Sequence, residues 1–336
     1  MKTILIASRR PSIIPQPLPS SIVLMNEGYM HLMQKTYQQG IKMYATNHQY
    51  FSSDEVNHLW HVEGDEWKLT EEPIDFDLIY GKFPHYYDPQ AKIGRDYVQQ
   101  QGLELYPDPD FSDLLTDKQA SYSVCPEHTP YTITVGADLE QAVEQLYEQS
   151  LHEDLDPNRM VLKPRYGHEG FGVYCIHRRD WEKYREVVEN KDYILQPFLE
   201  TKHGIPAINI RSRHDMRLSV FNGKVSGFYV RMPKNDGFLS NISQGGGTRY
   251  GYAYELPPSI LTFAQKVDQQ FTHLGPRYYS LDVGVGRSGK VWIYELNDIP
   301  FFTWVGNSPS GMAHQKRLHG FMVRFFKTLL AESSST

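Results

Sequence analysis

The sequence has few of the features that mark secreted, membrane or nucleic-acid-binding proteins. Its two cysteines, Cys125 and Cys175, are too few for a disulfide framework or a cysteine-rich zinc site. No apolar run approaches the roughly 20 residues that a membrane-spanning helix needs. The net charge of −6 argues against a dedicated nucleic-acid binder, although basic residues such as Arg211 and Arg213 remain available for phosphate. These absences predict a cytoplasmic protein that contacts neither membrane nor nucleic acid.

The chain also lacks a recognisable targeting segment, internal repeats and low-complexity stretches. The apolar residues 3–7 are too short for a signal-peptide core and are followed by Arg9-Arg10, so we expect them to form a first strand. With 336 residues, the chain can bury a sizeable core and has room for two or three domains.

Two apolar segments near the C-terminal end each carry oxygen ligands. Asp282 lies in the first segment, and Glu295 and Asn297 lie in the second. Because side chains alternate along a strand, Glu295 and Asn297 point to one face and can converge on one ion with Asp282 of the neighbouring strand. Carboxylate and amide oxygens suit Mg²⁺, with Mn²⁺ as an alternative ion. The other interpretation is an ordinary hairpin turn at residues 286–289 with solvated acids at the strand ends.

A second segment combines a buried strand, a lysine and a glycine-rich loop. The strand ends in Lys163-Pro164, and Gly167, Gly170 and Gly172 follow before the next apolar strand. Glycines let backbone N–H groups approach an anion closely, and the lysine adds a charge for phosphate. A lysine at the end of an apolar strand is costly unless an anion or water receives it. The loop is neither a Walker loop nor a dinucleotide fingerprint, because no Gly-Lys-Ser/Thr and no helix follows directly.

Six motifs, taken in order along the chain, resemble those of the ATP-grasp superfamily. They are Asp117-Lys118, Leu162-Lys163-Pro164 with its glycine loop, residues 195–200, Asp215-Met216-Arg217, Asn241 followed by Gly245-Gly246-Gly247, and the acid set Asp282, Glu295 and Asn297. The resemblance covers roughly residues 110–305. It is greatest to the YheC/YheD group of spore-coat-associated proteins, mainly through residues 78–84, and extends more distantly to D-alanine–D-alanine ligase and glutathione synthetase.

The resemblance implies an α/β chain with the ATP-grasp fold, in which two α+β lobes clamp ATP behind a small N-terminal domain. Short strands alternate with helical stretches over residues 1–110, and the proline-rich break at residues 107–109 ends this pattern. We expect the central lobe at residues 111–195, the C-terminal lobe at residues 196–330 and a frayed tail at residues 331–336. Periodicity predicts helices near residues 26–39, 93–102, 113–124, 259–274 and 314–330, and a further helix that begins at Asp138.

The resemblance also assigns the nucleotide contacts. Lys118 and Lys163 match two lysines that contact phosphates, and the glycine loop closes over them. Gln196 and Phe198 lie on the strand that reads adenine, and Glu200 matches the ribose ligand. For Lys118 the alternative is an ordinary solvated helix residue.

For the reaction itself, the resemblance implies that Arg217 meets the transferred phosphoryl group. Gly246 and its neighbouring glycines would present backbone donors to an oxyanion, and Arg249 would add charge there. The alternatives are a salt bridge between Asp215 and Arg217 on one strand face, and a mobile surface loop around Gly246.

The activity that the resemblance implies is a carboxylate–amine ligase. ATP and a small-molecule or peptide carboxylate would give an acyl phosphate, and an amine would then form the amide with release of ADP and phosphate. The alternatives are an ATP-grasp phosphotransferase and a nucleotide-binding coat component without turnover. Lys82 and His168 are candidates for substrate binding and loop closure, although an ordinary strand-to-loop exit and an incidental histidine explain them better. No residue is assigned as general base, and the oligomeric state stays open.

Overall fold

The computed structural model describes residues 1–8, 23–81, 83, 89–136, 138–149, 151–167, 170–189, 191–233, 247–298, 300 and 308–332. The chain forms two compact units, which are Met1–Asp113 with Leu274–Tyr278 and Asp298–Thr336, and Leu114–His273 with Tyr279–Asn297. The predicted tail at residues 333–336 lies outside the described residues. The structure groups the last part of the chain with the N-terminal residues, whereas we expected it in the C-terminal lobe. The division into three parts stays a prediction.

The first unit contains, within its described residues, a mixed sheet in the order β4-β3-β2-β1-β5-β6. Its strands are β1 (Lys2–Ser8), β2 (Ile41–Asn47), β3 (Leu59–Glu63), β4 (Glu66–Thr70), β5 (Leu78–Gly81) and β6 (Leu105–Tyr106). β1 pairs in parallel with both β2 and β5, and its residues Ile4 and Leu5 are fully buried. Buried apolar runs are typical of parallel strands that are covered on both faces.

Helices accompany this sheet close to the places that periodicity predicts. They are α1 (Val23–Tyr37), α2 (Pro89–Gln100), α3 (Pro109–Thr116) and α8 (Pro309–Glu332), of which α3 runs across the boundary between the units. α2 contributes Tyr97 and Val98 to a core that includes Leu5, Tyr44 and Ile79. No helix within the described ranges is both long and apolar enough to cross a bilayer.

The second unit contains two antiparallel sheets. The first has the order β7-β10-β8-β9, with β7 (Ile133–Val135), β8 (Leu155–Pro164), β9 (Tyr174–His177) and β10 (Tyr193–Leu199). β8 and β9 form the hairpin that the glycine loop closes, as predicted. α4 (Lys118–Ser123), α5 (Leu139–Glu148) and α6 (Arg185–Val188) accompany this sheet. α5 begins at Asp138, whose carboxylate accepts a hydrogen bond from the backbone of Gln141 at 3.0 Å.

The other sheet of this unit has the order β13-β12-β11-β14-β15. Its strands are β11 (Asp215–Phe221), β12 (Lys224–Met232), β13 (Gly247–Tyr252), β14 (Tyr278–Val285) and β15 (Val291–Asn297), and α7 (Pro258–Gln269) packs against it. β11 and β12 join through Asn222-Gly223, both with positive φ, as a two-residue hairpin turn requires. A bulge then shifts their register between Ser219 and Val220.

The single helix expected over residues 113–124 is wrong, because Asp117 interrupts it. Asp117 has extended backbone angles, φ −84° and ψ 104°, and its side chain accepts hydrogen bonds from the backbone of Gln119 and Ala120. An aspartate in this role starts a new helix. The interruption makes Lys118 the first residue of α4.

The turn that joins β14 to β15 is fixed by hydrogen bonds to Asp154, the residue directly before β8. The buried Asp154 accepts hydrogen bonds from the backbone and hydroxyl of Ser288, at 2.8 and 2.6 Å, and from Trp292 Nε1 at 2.9 Å. A Cβ at Gly286 would lie 2.1 Å from Cγ of Asp154, so no other residue fits there. The hairpin turn of the alternative interpretation is thus present, but Asp282 is buried, so the expectation of solvated acids at the strand ends is wrong for this residue.

Candidate functional site

Lys163 lies buried at the end of β8, as the sequence predicts for a lysine on an apolar strand. Its Nζ donates to the hydroxyl of Tyr122 at 2.7 Å and to the carbonyl of Tyr294 at 3.3 Å. Burial, and then the charge of Lys118, lower its pKa to about 7, while the charges of Glu295 and Asp215 act the other way. Lys163 is therefore a desolvated lysine with a pKa near neutrality, within the electrostatic reach of two acids.

Lys118 is buried as well, which excludes the interpretation as a solvated helix residue. Its Nζ donates to the carbonyl of Gly167 at 2.6 Å and lies 3.2 Å from Oε1 of Glu295. α4 is held to the same region by Arg165, which makes two hydrogen bonds with the carboxylate of Asp117 at 2.8 and 2.5 Å. Lys118 thus connects the glycine loop to the strand that carries the predicted metal ligands.

The glycine loop adopts backbone angles that favour glycine at two of its positions. Gly170 and Gly172 have φ of 75° and 70°. A Cβ at Gly172 would lie 3.0 Å from the hydroxyl of Tyr193 and 3.1 Å from Pro164, so space and backbone both select glycine there. His168 lies outside the described residues.

Asp282 is the centre of a buried charge cluster formed with Arg217, Arg231 and Asp215. Arg217 binds both Asp282 oxygens at 2.5 Å, and Arg231 binds Asp282 at 2.7 Å and Asp215 at 2.5 Å. The expected alternative, a salt bridge between Asp215 and Arg217, is not found, because Arg217 turns to the neighbouring strand and Asp215 pairs with Arg231. We call these four residues the buried cluster.

The two acids of the buried cluster respond oppositely to their surroundings. Burial raises the pKa of Asp215 to about 6, although Arg231 opposes this. Burial would also raise the pKa of Asp282, but Arg217 and Arg231 outweigh it and keep that pKa below its usual value. Asp215 Oδ1 has no hydrogen-bond partner among the described residues.

The predicted metal ligands share one face of β14 and β15. Asp282 lies opposite Glu295, and Asn297 lies opposite Ser280. Ser280 Oγ and Asn297 Nδ2 are buried without a hydrogen-bond partner among the described residues. In the same ranges no group of three His, Cys, Asp or Glu side chains is placed to hold a metal ion. An ion at this face would therefore need further oxygen atoms from water or phosphate, and the role of Asp282, Glu295 and Asn297 as metal ligands stays a prediction.

The residues expected around adenine and ribose lie together on and after β10, but their side chains already have protein partners. Gln196 donates to Thr132 Oγ1 at 2.6 Å. Glu200 accepts from Arg159 at 2.8 Å and from Arg213 at 3.0 Å. Burial would raise the pKa of Glu200, but the charge and hydrogen bonds of Arg213 lower it overall. The roles of Gln196 and Glu200 in nucleotide binding stay predictions.

Arg159 and Arg213 also pack against the ring of Phe198, at 4.0 and 5.4 Å from its centroid. Arg213, which seemed available for phosphate, is therefore already paired. Asp156 completes the group through a 2.7 Å bond from Arg159. We call Arg159, Arg213, Glu200 and Asp156 the rim cluster.

Arg249 is not brought together with Arg217. Arg249 of β13 lies opposite Val230 of β12, whereas Arg217 of β11 lies opposite Tyr229 of β12. Since side chains alternate along a strand, Arg249 and Arg217 occupy opposite faces of the sheet. The guanidinium of Arg249 lies 3.3 Å from Glu255. Its expected role, which is to add charge where Gly246 and its neighbours meet an oxyanion, stays a prediction. Lys82, Asn241 and Gly246 lie outside the described residues, so their roles stay predictions.

Sequence reasoning missed three contributors to the site. Arg231 could have been noticed as a charged residue that directly follows the apolar run Phe228–Val230 in β12. Its partner, however, depends on the bulge between Ser219 and Val220. For Tyr122 the only indication in the sequence is its position one helical turn after Lys118, which places both side chains on the same helix face. Arg165 follows the Lys163-Pro164 pair directly, yet nothing local indicates that it binds Asp117.

Comparison with known proteins gives distant relatives. A glutathione synthetase from Rhodopseudomonas palustris is 26% identical over 168 residues, which cover 48% of this chain and 45% of that protein. The chain spans less than half the length of the curated relatives that it matches. It matches no family model.

Solved structures match nearly the whole chain. D-alanyl-alanine synthetase A from Vibrio cholerae has a TM-score of 0.62 at 13% identity and covers 98% of both chains. A RiPP-associated ATP-grasp ligase from Chryseobacterium gregarium, in complex with ADP and a leader and core peptide, has a TM-score of 0.60 at 12% identity and covers 96% of this chain and 97% of its own. Likeness at such low identity establishes the fold, so this chain adopts the ATP-grasp fold.

Proposed function

We propose that the protein is an ATP-dependent carboxylate–amine ligase, which forms an amide or peptide bond through an acyl phosphate and releases ADP and phosphate. The observation that carries this proposal is the convergence of buried cations on two acid-bearing strands. Lys118 and Lys163 lie beside Glu295 and Tyr294 of β15, and Arg217 and Arg231 lie on Asp282 of β14. Four desolvated basic side chains against these two paired strands suit a polyanion such as a triphosphate, whose charge would favour the protonated form of Lys163.

Each cation has a part in the proposed reaction. Lys118 and Lys163 bind nucleotide phosphates, and the backbone of the loop with Gly167, Gly170 and Gly172 covers them. Arg217 offers a planar fork of donors to the transferred phosphoryl group. Arg231, which holds the same Asp282, keeps that carboxylate compensated when Arg217 turns towards an anion.

Asp282, Glu295 and Asn297 are proposed to hold Mg²⁺. The ion would offset the charge that builds on the transferring phosphoryl group. Both oxygens of Asp282 already accept hydrogen bonds from guanidinium groups, so Glu295 and Asn297 are the more accessible donors.

The acceptor is proposed to be a small-molecule or peptide carboxylate. Its carboxylate attacks the γ-phosphate, the bond to the bridging oxygen of ADP breaks, and an acyl phosphate forms. An amine then attacks the carbonyl carbon, phosphate leaves, and the amine loses a proton. The peptide-bound ligase among the structural neighbours makes a peptide acceptor a reasonable first choice. ATP use and the low cysteine content also favour a cytoplasmic protein, and residues 78–84 favour the YheC/YheD group.

The test is to incubate the protein with Mg-ATP, hydroxylamine and a pool of amino acids, dipeptides and small carboxylates. A ligase should release ADP and phosphate in a carboxylate-dependent way, and hydroxylamine should trap the acyl phosphate as a hydroxamate whose mass identifies the acid. Lys163→Met should abolish both signals. Lys191→Met, which removes an exposed lysine of the same unit, should leave them unchanged.

The alternative outcomes distinguish the competing activities. A stable phosphorylated product without hydroxamate would replace the ligase by a phosphotransferase. Carboxylate-dependent AMP and pyrophosphate would contradict the roles given to Lys118, Lys163 and Arg217, since these are assigned to a departing γ-phosphoryl group. No nucleotide turnover with any pool would favour a binding protein.

A further inference from the structure

Tyr122 contacts Lys163 but has no part in the chemistry proposed above. It lies on α4 one turn after Lys118, and its side chain is buried. Its hydroxyl lies 2.7 Å from Nζ of Lys163 and 2.6 Å from the carbonyl oxygen of Tyr294. The phenol therefore stands between β8, which carries Lys163, and β15, which carries Glu295.

These two contacts fix the direction of both hydrogen bonds. A phenol has one hydrogen, and a carbonyl can only accept, so Tyr122 donates to Tyr294 and accepts from Lys163. Burial raises the pKa of Tyr122 well above its usual value, so the hydroxyl keeps its hydrogen. Tyr122 thus presents a lone pair to the ammonium.

The ammonium of Lys163 has three hydrogens, of which the described contacts use two. One points to the hydroxyl of Tyr122 and one to the carbonyl of Tyr294. A lysine side chain is flexible, so two fixed acceptors restrict where its third hydrogen can point. Without the hydroxyl, only the longer contact of 3.3 Å would remain to hold the ammonium.

We propose that Tyr122 is a positioning residue, whose hydroxyl aims the third N–H of Lys163 at a nucleotide phosphate. This inference rests on the proposed function. α4 does not need the hydroxyl for its own placement, because Arg165 and Asp117 hold the start of the helix. The ring of Tyr122, which lies 4.9 Å from the Lys163 ammonium, would also stay in place in a phenylalanine variant.

The test is a double-mutant cycle on Mg-ATP binding, measured by calorimetry with the full chain. Tyr122→Phe should weaken binding about tenfold, since it removes one hydrogen bond to a charged group. Lys163→Met should weaken it further. The double variant should bind no more weakly than Lys163→Met alone, because the hydroxyl then has no ammonium to aim.

Two further measurements separate positioning from plain support of the fold. Tyr131→Phe, which removes a half-exposed hydroxyl bonded to Gln145 in the same unit, should leave affinity unchanged. Melting temperatures show whether Tyr122→Phe folds, and with turnover measured, KM for ATP should rise while kcat changes less.

The outcomes are distinguishable. Wild-type affinity in Tyr122→Phe would overturn the inference, and so would additive losses in the double variant, which would show that the hydroxyl acts independently of Lys163. A wild-type chain that binds no Mg-ATP would instead overturn the proposed function and the inference together.

Discussion

The second unit contains two charge clusters of the same composition in different surroundings. The buried cluster and the rim cluster each hold two arginines and two acids. In the buried cluster the central Asp282 is 3% exposed, whereas in the rim cluster Arg159 is 30% exposed and packs on Phe198. Asp282 binds both arginines of its cluster, and Glu200 binds both arginines of the other.

The comparison shows that burial and the number of arginine partners together decide the pKa of an acid in such a group, since Asp282 with two arginines keeps a lowered pKa and Asp215 with one does not. In the rim cluster both acids keep a lowered pKa. In the buried cluster Asp215 has a raised pKa and an oxygen without a partner among the described residues. Buried charges are costly when one partner is removed, whereas exposed pairs contribute little. An anion that binds at the buried cluster would therefore change the electrostatic free energy more than one that binds at the rim cluster.

The largest expected effect comes from breaking the buried cluster with Arg217→Met. This change leaves Asp282 with Arg231 alone, so we expect the free energy of unfolding to fall by about 3 kcal/mol. Turnover should fall by about 10²- to 10³-fold, because a preorganised donor to the phosphoryl group is lost. Urea unfolding and ADP release measure the two losses. Arg159→Met in the rim cluster is the matched control, and equal losses in both variants would refute the distinction between the clusters.

A smaller effect should appear in the pH dependence of stability, with opposite signs for Asp215 of the buried cluster and Glu200 of the rim cluster. Asp215 has a pKa raised from 3.8 to about 6, so between these values the folded chain binds the extra proton and stability falls as pH rises. Glu200 has a lowered pKa, so its contribution is present above its ordinary value and is lost as pH falls through the lowered one.

Urea unfolding at several pH values measures these contributions in Asp215→Asn and Glu200→Gln. The stability of Asp215→Asn relative to wild type should increase between about pH 4 and pH 6. The stability of Glu200→Gln relative to wild type should decrease as pH rises through the acid range up to the ordinary glutamate pKa of 4.5. If the two stability differences changed with pH in the same direction, the pKa values of Asp215 and Glu200 would not be shifted in opposite directions.

The smallest effect should be the response to salt. Arg159→Met should cost no more than about 1 kcal/mol at low ionic strength, as expected for a partly exposed pair. That cost should shrink in about 0.5 M NaCl, since salt screens exposed charges more than buried ones. The cost of Arg217→Met should stay nearly constant under the same conditions. If the stability lost in Arg159→Met did not change with salt, the rim cluster would behave electrostatically like the buried cluster.

Local pattern was enough to predict much of the framework around the site. The glycine-loop hairpin followed from two apolar strands separated by glycines, and alternation placed Asp282 and Glu295 on one face, which the register confirms. The burial of Lys163 also followed from its position on an apolar strand.

Arg231 could not be paired from sequence, because a bulge changes the count. The Asn222-Gly223 turn pairs Phe221 with Lys224, and uninterrupted pairing from there would set Asp215 opposite Val230. The bulge between Ser219 and Val220 moves the register by one residue and sets Asp215 opposite Arg231. A one-residue shift of this kind leaves little trace in hydrophobic pattern.

The break at Asp117 was missed for another reason. Its neighbours Leu114, Leu115, Ala120 and Tyr122 continue a helical pattern across it, while the cap that Asp117 forms is held in addition by Arg165, far along the chain. A long-range partner of this kind can stabilise a helix break that the hydrophobic periodicity of the sequence does not indicate.

The shortness of α4 has a consequence for the comparison of sequences. Within six residues this helix carries Lys118 and Tyr122, and the cap at Asp117 ties its start to Arg165. Inserting or deleting one residue between positions 117 and 122 would rotate Tyr122 by about 100° away from Lys163. An alignment of this chain with any distant homologue should therefore contain no gap between positions 117 and 122. The ungapped spacing Asp-Lys-x₃-Tyr, followed by Lys-Pro-Arg in the next β-hairpin, is a search pattern that tolerates change at the intervening helix positions and can distinguish true relatives from chains that share only the glycine loop.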